Sequence, residues 1–120
     1  RLRGIPAVRE YRFAAEATGG PGRGVRARIK AAGLQDWRAD FRILGHNILV
    51  EVEGGGWKGG RHSRGKGFED DMIKYGAAMG LGWRVYRCSP GMVESGHAIK
   101  KIMKILDGSR QTNGSSQSNG

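Results

Sequence analysis

The stretch that decides the fold is residues 37–53, which read WRADFRILGHNILVEVE. Residues 37–43 alternate apolar and polar side chains, a pattern typical of a half-buried β-strand. Gly45, His46 and Asn47 favour a turn, and residues 48–53 predict a second strand with a buried start. The first strand is expected to present one apolar face, formed by Trp37, Ala39, Phe41 and Ile43.

Three carboxylates lie in these two strands. Glu51 and Glu53 must project from one face, about 6.5–7 Å apart along the backbone, with Val52 on the other face. If the strands pair as a hairpin, Asp40 joins them. Like charges this close repel unless a cation or a proton intervenes, and Mg²⁺ prefers carboxylate and phosphate oxygens. The alternative is the solvent face of an ordinary edge strand, on which charged alternation is common.

The flanking sequence predicts helices and one more strand around this hairpin. Residues 83–88 (WRVYRC) indicate a third strand, residues 8–13 an earlier strand, and residues 25–32 a short basic helix. Two longer helices are expected from apolar stripes at helical spacing. Their stripes are Phe68, Met72, Tyr75 and Met79, expected in the core, and Ile99, Ile102, Met103 and Leu106, with Lys100, Lys101 and Lys104 facing solvent. This order predicts an α/β (α+β) domain around a mixed sheet.

Composition adds a basic balance and an excess of glycine. The chain has 120 residues, the length of one domain, a formal net charge of +10 and 22 glycines. Residues 1–30 and 54–67 are basic, and residues 31–53 between them are acidic. Such an excess of positive charge favours a polyanionic partner. We expect a domain over 1–106, whose first helix is truncated upstream, and a flexible tail over 107–120, which has no large apolar side chain.

The cysteine content and the apolar runs of the chain argue against an exported or membrane protein. Its one cysteine, Cys88, cannot form an intramolecular disulfide and is expected to be a buried small side chain. No stretch reaches the roughly 18–20 apolar residues needed to span a bilayer. We therefore expect a cytoplasmic protein without membrane association.

Residues 54–67 predict a long glycine-rich loop between the second strand and the helix. The loop carries no acid, and its basic side chains are Lys58, Arg61, Arg64 and Lys66. Contacts of such side chains with phosphates position a nucleic acid without reading its bases. A merely solvated basic loop is the alternative.

Four segments together carry a family resemblance: DWRADF (36–41), ILVEVEGGGW (48–57), GRHSRGKGFEDDMIKY (60–75) and LGWRVYRC (81–88). They resemble the small PD-(D/E)XK nucleases common in phages and prophages, and more distantly the very-short-patch mismatch-repair endonucleases. The resemblance covers residues 8–106, with EYRF (10–13) at the domain entry. It implies a restriction-endonuclease-like core, a Mg²⁺-dependent DNA endonuclease in which Mn²⁺ can substitute, and a bacterial or phage-infected host cell.

The resemblance also assigns roles in the site. Asp40 and Glu51 take the places of the two acids of the motif and would bind the metal ion, with the backbone carbonyl of Val52 as a third ligand. Glu53 stands where the family name expects Lys, although some restriction enzymes of this superfamily also read E-x-E. As a carboxylate, Glu53 could bind a second metal ion or accept a proton from the attacking water.

Other side chains have weaker claims to the site. His62 is placed near the acids by the resemblance and could act as a general acid or base, although a loop histidine is usually only solvated. Lys74 is expected to pair with Asp70 or Asp71 along the helix, whereas the resemblance implies that it faces phosphate. Glu10 and Glu16 are candidates for a further acid from the first helix.

Three functions compete at this point. The leading one is an endonuclease, cutting branched or junction DNA or acting as a mismatch or restriction-like nickase, with a homodimer supplying two active sites. The second is a non-catalytic nucleic-acid-binding module that lost activity through the change from Lys to Glu53. A general RNA-binding or ribosome-associated protein would fit the charge but would leave the acids unexplained.

Overall fold

A computed structural model describes residues 4–54 and 66–119, with side chains over 4–54 and 67–108. In this part of the chain, four strands are β1 (Ala7–Tyr11), β2 (Ala39–Ile43), β3 (Ile48–Val52) and β4 (Arg84–Cys88). Its five helices are α1 (Phe13–Ala17), α2 (Val25–Ala31), α3 (Lys66–Gly80), α4 (Pro90–Glu94) and α5 (His97–Asn119). Apart from α1 and α4, these elements fall where the sequence predicts them.

The strands form one mixed sheet in the order β1-β2-β3-β4. β1, β2 and β3 are an antiparallel meander, and the turn predicted at residues 45–47 joins the last two. β4 pairs with β3 in parallel, after α3 has carried the chain back along the sheet. The predicted mixed-sheet α+β class is therefore confirmed.

Two hydrophobic clusters cover the two faces of the sheet. Neighbouring residues of β3 project to opposite faces, so Val50 belongs to one cluster and Leu49 to the other. The Val50 cluster packs against α5 through Ala98 and Ile102, and contains Cys88, which is buried as predicted. The Leu49 cluster packs against α1 and α3 through Phe13 and Ala78.

The predicted apolar face of residues 37–43 is wrong. Ile43 and Phe41 pack in the Val50 cluster, whereas Ala39 and Trp37 pack in the Leu49 cluster. β1 explains the switch, because it changes face at the same level: Ala7 packs with the first cluster and Tyr11 with the second. Between them lies Glu10, whose φ of 52° is left-handed. A residue in that conformation breaks the two-residue alternation of a strand.

The orientation of α3 also corrects the sequence prediction. Phe68, Met72 and Met79 are 49, 56 and 65% exposed, so they do not form a core stripe. The helix instead turns Ala78 into the Leu49 cluster, with Lys74 and Tyr75 half-buried beside it. The same face carries the polar contacts to the acids of β3, through Lys74 and Tyr75.

In α5 the predicted stripe is partly right. Ile102 is buried, Ile99 and Leu106 pack beside it, and Lys100, Lys101 and Lys104 are exposed as predicted. Met103, however, is 55% exposed, and Ala98 takes the buried position. The helix continues past the boundary expected at 107, through Asn119. That residues 107–120 are flexible stays a prediction.

The glycine-rich segment 19–24 wraps around one side chain. Arg28 of α2 donates hydrogen bonds to the carbonyl oxygens of Thr18 and Arg23, each at 2.6 Å, and to that of Gly20. These contacts join α1 to α2.

None of the helices in the described ranges is long and apolar enough to cross a membrane.

Candidate active site

Asp40 continues the pairing of β2 with β3 by means of its side chain. The backbone register between these strands runs from Ile43 opposite Ile48 to Phe41 opposite Val50. One residue further along, Asp40 Oδ2 accepts a hydrogen bond from the Val52 N–H at 2.7 Å. The carboxylate is therefore held in a fixed orientation at the end of the hairpin, with one oxygen used.

Glu51 is the buried charged residue of the described core, at 6% exposure. Lys74 Nζ of α3 lies 3.1 Å from Glu51 Oε2, but this oxygen lacks an aligned hydrogen-bond donor among the described residues. Burial raises the pKa of Glu51 to about 7, with the charges of Asp40 and Glu53 adding to the rise and Lys74 opposing it. Glu51 is thus a carboxylate that the fold alone does not fully stabilise in its charged form.

Glu53 is held by two partners. Tyr75 Oη donates a hydrogen bond to Glu53 Oε2 at 2.8 Å, and Arg87 donates from Nη2 to Oε1 at 3.0 Å and from Nε to Oε2. The Arg87 guanidinium also lies 4.7 Å from the centre of the Tyr75 ring. The hydrogen bonds from Arg87, and then those from Tyr75, lower the pKa of Glu53, so it is ionised at neutral pH.

The predicted alternation of residues 51–53 is confirmed. Glu51 and Glu53 both contact α3, through Lys74 and Tyr75. Val52 packs in the Val50 cluster on the other face. The sequence prediction therefore holds for the face that the acids share.

Lys74 contacts the sheet, which its default prediction of pairing along the helix does not include. It forms an ion pair with Glu51 of the sheet, at 3.1 Å, rather than serving only the surface of its own helix. Its side chain is 17% exposed, so the pair is largely shielded from water. This places a cation beside the second acid. That Lys74 faces phosphate, as the family resemblance implies, stays a prediction.

Sequence reasoning missed Tyr75 and Arg87. The spacing predicts Tyr75 in an apolar stripe, and Arg87 only as one residue of the third strand. Parallel pairing of β4 with β3 supplies the signal for Arg87, because it places Arg87 directly beside Glu51. That register depends on the tertiary fold, which spacing along the chain does not reveal.

Several predicted residues lie outside this group. Lys58, Arg61, His62 and Arg64 fall outside the described residues, and Lys66 begins α3 without a described side chain. Glu10 and Glu16 are exposed, in β1 and α1, and contacts to Asp40 or Glu51 are absent for both in the described part of the chain. A first-helix acid is therefore not brought to the site.

The carboxylates of Asp40, Glu51 and Glu53 are the oxygen donors that this site could offer to a hard cation such as Mg²⁺. Within 4–54 and 66–119, no three His, Cys, Asp or Glu side chains form a ready metal-binding group. Mg²⁺, however, usually takes only one or two carboxylates from a protein and fills its shell with water and phosphate oxygens. Asp40 and Glu51 fit that requirement, because both are oxygen donors at the end of paired strands and the Val52 N–H engages only Oδ2 of Asp40. Glu53 is already engaged by protein donors.

The chain matches no protein-family model, and no curated protein and no solved structure is significantly similar to it.

Proposed function

We propose that this chain is a Mg²⁺-dependent DNA endonuclease with a restriction-endonuclease-like core. The observation that carries the proposal is the buried carboxylate of Glu51. Asp40 lies in the neighbouring strand β2, and Lys74 Nζ is 3.1 Å from Glu51 Oε2. A buried acid with a pKa near 7 costs stability, and such groups concentrate at functional sites. The order of a meander, a helix and a parallel strand around it supports the same conclusion.

Each residue of the site has a proposed role. Asp40 and Glu51 would hold Mg²⁺, together with the backbone carbonyl of Val52. The ion would polarise the phosphate, lower the pKa of the attacking water and stabilise the leaving oxygen. Asp40 is orientated by the Val52 N–H, and Lys74 would place its positive charge beside the phosphodiester. His62 stays a candidate general acid or base.

The cleavage assay is the direct test. The protein would be incubated with linear, mismatched, flap and four-way-junction DNA, with Mg²⁺, with Mn²⁺ and with a chelator. We expect cleavage with either metal ion and none with the chelator, and branched substrates cut faster than linear duplex. Identical DNA recovery in all lanes would refute the nuclease.

Binding of DNA should depend steeply on salt. The chain carries +10, and four of its basic residues, Lys58, Arg61, Arg64 and Lys66, lie in the segment that the sequence predicts as a glycine-rich loop. Each phosphate that is neutralised releases counterions, so affinity should fall by roughly 10³-fold between 50 and 200 mM salt if about six phosphates are contacted. Anisotropy titrations in chelator measure this slope, and a flat salt dependence would contradict DNA binding.

A specific observation also favours a second function, a non-catalytic nucleic-acid-binding module. Glu53 is engaged by Tyr75 and Arg87, so it does not replace the lysine that the family pattern expects. If catalysis needed that lysine, the fold would bind without cutting. Salt-dependent binding with no cleavage under either metal ion would select this function.

The expected homodimer stays a prediction. Two copies would bring two active sites to a junction or a duplex and allow paired nicks. Light scattering of the protein with and without DNA measures the mass that decides it.

A further inference from the structure

We propose that Arg87 binds a phosphate group of the nucleic acid beside Glu51, and that Glu53 and Tyr75 are positioning residues for its guanidinium. This inference rests on the proposed function for the identity of the ligand. It gives Glu53 a task different from metal binding or proton transfer.

The sheet places Arg87 next to the second acid. Glu51 and Arg87 are partners in the parallel register of β3 and β4, and paired strands lie about 4.8 Å apart. The flanking residues Val52 and Cys88 both pack in the Val50 cluster on the other face. Arg87 and Glu51 therefore project from the same face, towards α3.

The guanidinium keeps donors to spare. Arginine has five N–H donors in a fixed fork, and Arg87 uses one on Nε and one on Nη2 for Glu53. Both Nη1 donors and the second Nη2 donor are left, and within the described ranges no further acceptor meets them. The side chain is 53% exposed. The remaining fork matches the two oxygens of a phosphate.

The contacts around Arg87 go beyond those of a surface ion pair, which usually contributes little. Its guanidinium lies over the Tyr75 ring at 4.7 Å, and the Tyr75 hydroxyl donates to the same carboxylate that holds Arg87. Burial, and then the hydrogen bond to Glu53, raises the pKa of Tyr75, so the phenol stays a donor. A side chain already fixed in this way loses little entropy when it binds a ligand.

The same arrangement accounts for the glutamate at position 53. A lysine there would supply one positive charge directly. Here the strand supplies a glutamate that orientates Arg87 from β4, while Lys74 comes from α3. The acids would thus be flanked by two cations of different geometry, a point charge and a planar fork.

Binding without metal separates this inference from catalysis. A short fluorescein-labelled duplex would be titrated in chelator at low salt, and each variant checked for its thermal unfolding. Arg87→Gln should weaken binding about tenfold, and Arg87→Lys should restore less than half of that loss because it keeps the charge but not the fork. Lys101→Gln, which removes a charge from α5 on the other face of the sheet, is the control and should change binding less than about twofold.

Substitution of Glu53 gives the sharper readout. Loss of a negative charge should by itself strengthen DNA binding. If Glu53 positions Arg87, Glu53→Ala should instead weaken binding several-fold, and Glu53→Gln, which keeps an acceptor, should stay within about threefold of the parent. Tighter binding by Glu53→Ala, or unchanged binding by Arg87→Gln, would overturn the inference.

Cleavage by the same variants distinguishes the two proposals. A metal ligand or proton acceptor at position 53 would lose at least about a hundredfold in rate as Gln, whereas a positioning residue would lose under about tenfold. Weakened binding by Arg87→Gln with no cleavage by the parent would leave the phosphate site standing and remove the nuclease. Cleavage by the parent, together with unchanged DNA binding by Arg87→Gln, would support the nuclease and refute the phosphate site.

Discussion

Asp40→Asn and Glu51→Gln should each lower Mg²⁺-dependent DNA cleavage by about a hundredfold or more, while binding of the same DNA in chelator should be retained or strengthened, because each variant removes a negative charge. Each substitution removes one of the two carboxylates that would hold the ion. Asp40→Asn keeps an oxygen that can accept the Val52 N–H bond now measured at 2.7 Å, so the end of the hairpin should be preserved. Initial cleavage rates at saturating DNA, measured over a range of Mg²⁺ concentrations, give the size of the loss.

A matched control removes an acid elsewhere. Glu94 is exposed in α4, and Glu94→Gln should cleave within about twofold of the parent, as surface substitutions usually do. If Asp40→Asn and Glu51→Gln both cleaved at the parental rate, the site would be refuted. If they lost activity together with DNA binding and thermal stability, the loss would report unfolding rather than chemistry.

The hairpin and its acids were predictable because they depend on local spacing. A two-residue period decides which faces Glu51, Val52 and Glu53 occupy, and the structure keeps that period throughout β3. The period fails in β2, where Ala39 and Ile43 pack on opposite faces beside the irregularity at Glu10. Nothing in residues 37–43 signals that break, because it arises in the strand with which they pair.

The helix over the site could not be orientated from its pattern. Spacing alone grouped Tyr75 with Phe68 and Met79, but the buried direction of α3 runs through Ala78 and brings Lys74 to Glu51. The side of α3 that faces the sheet carries an ion pair from Lys74 to Glu51 and a hydrogen bond from Tyr75 to Glu53, while the larger apolar side chains of the helix are exposed. These contacts join residues more than twenty positions apart, which is why the position of Arg87 in the site emerged only with the register of β4.

Glu51 should also make the stability of the metal-free protein depend on pH. Its folded pKa of about 7 lies above the ordinary value of 4.5. Between these values the unfolded chain binds fewer protons than the folded one, so the stability falls as pH rises through that window. Below pH 4.5 Glu51 is protonated in both states and has no effect, and above pH 7 its destabilisation is complete.

Glu51→Gln should therefore stabilise the protein at alkaline pH while it abolishes cleavage. The amide resembles the protonated acid, so the variant and the parent should have similar stabilities near pH 5 and should differ by about 3–4 kcal/mol at pH 8.5, at roughly 1.4 kcal/mol for each pKa unit. The lowered pKa values of Glu53 and Asp36 affect stability on the acid side, below this window. Urea unfolding of both proteins in chelator, at steps from pH 5 to pH 8.5, measures the divergence.

Two comparisons decide whether the divergence belongs to Glu51. Glu69→Gln, which removes an exposed acid from the first turn of α3, should run parallel to the parent over the whole pH range. Mg²⁺ should raise the stability of the parent at pH 8.5 and leave Glu51→Gln unchanged, because a ligand that binds only the folded state stabilises it by mass action. Parallel curves for the parent and Glu51→Gln would show that Glu51 is ordinarily solvated when charged. The buried carboxylate with a raised pKa, which supports the proposed metal site, would then not exist.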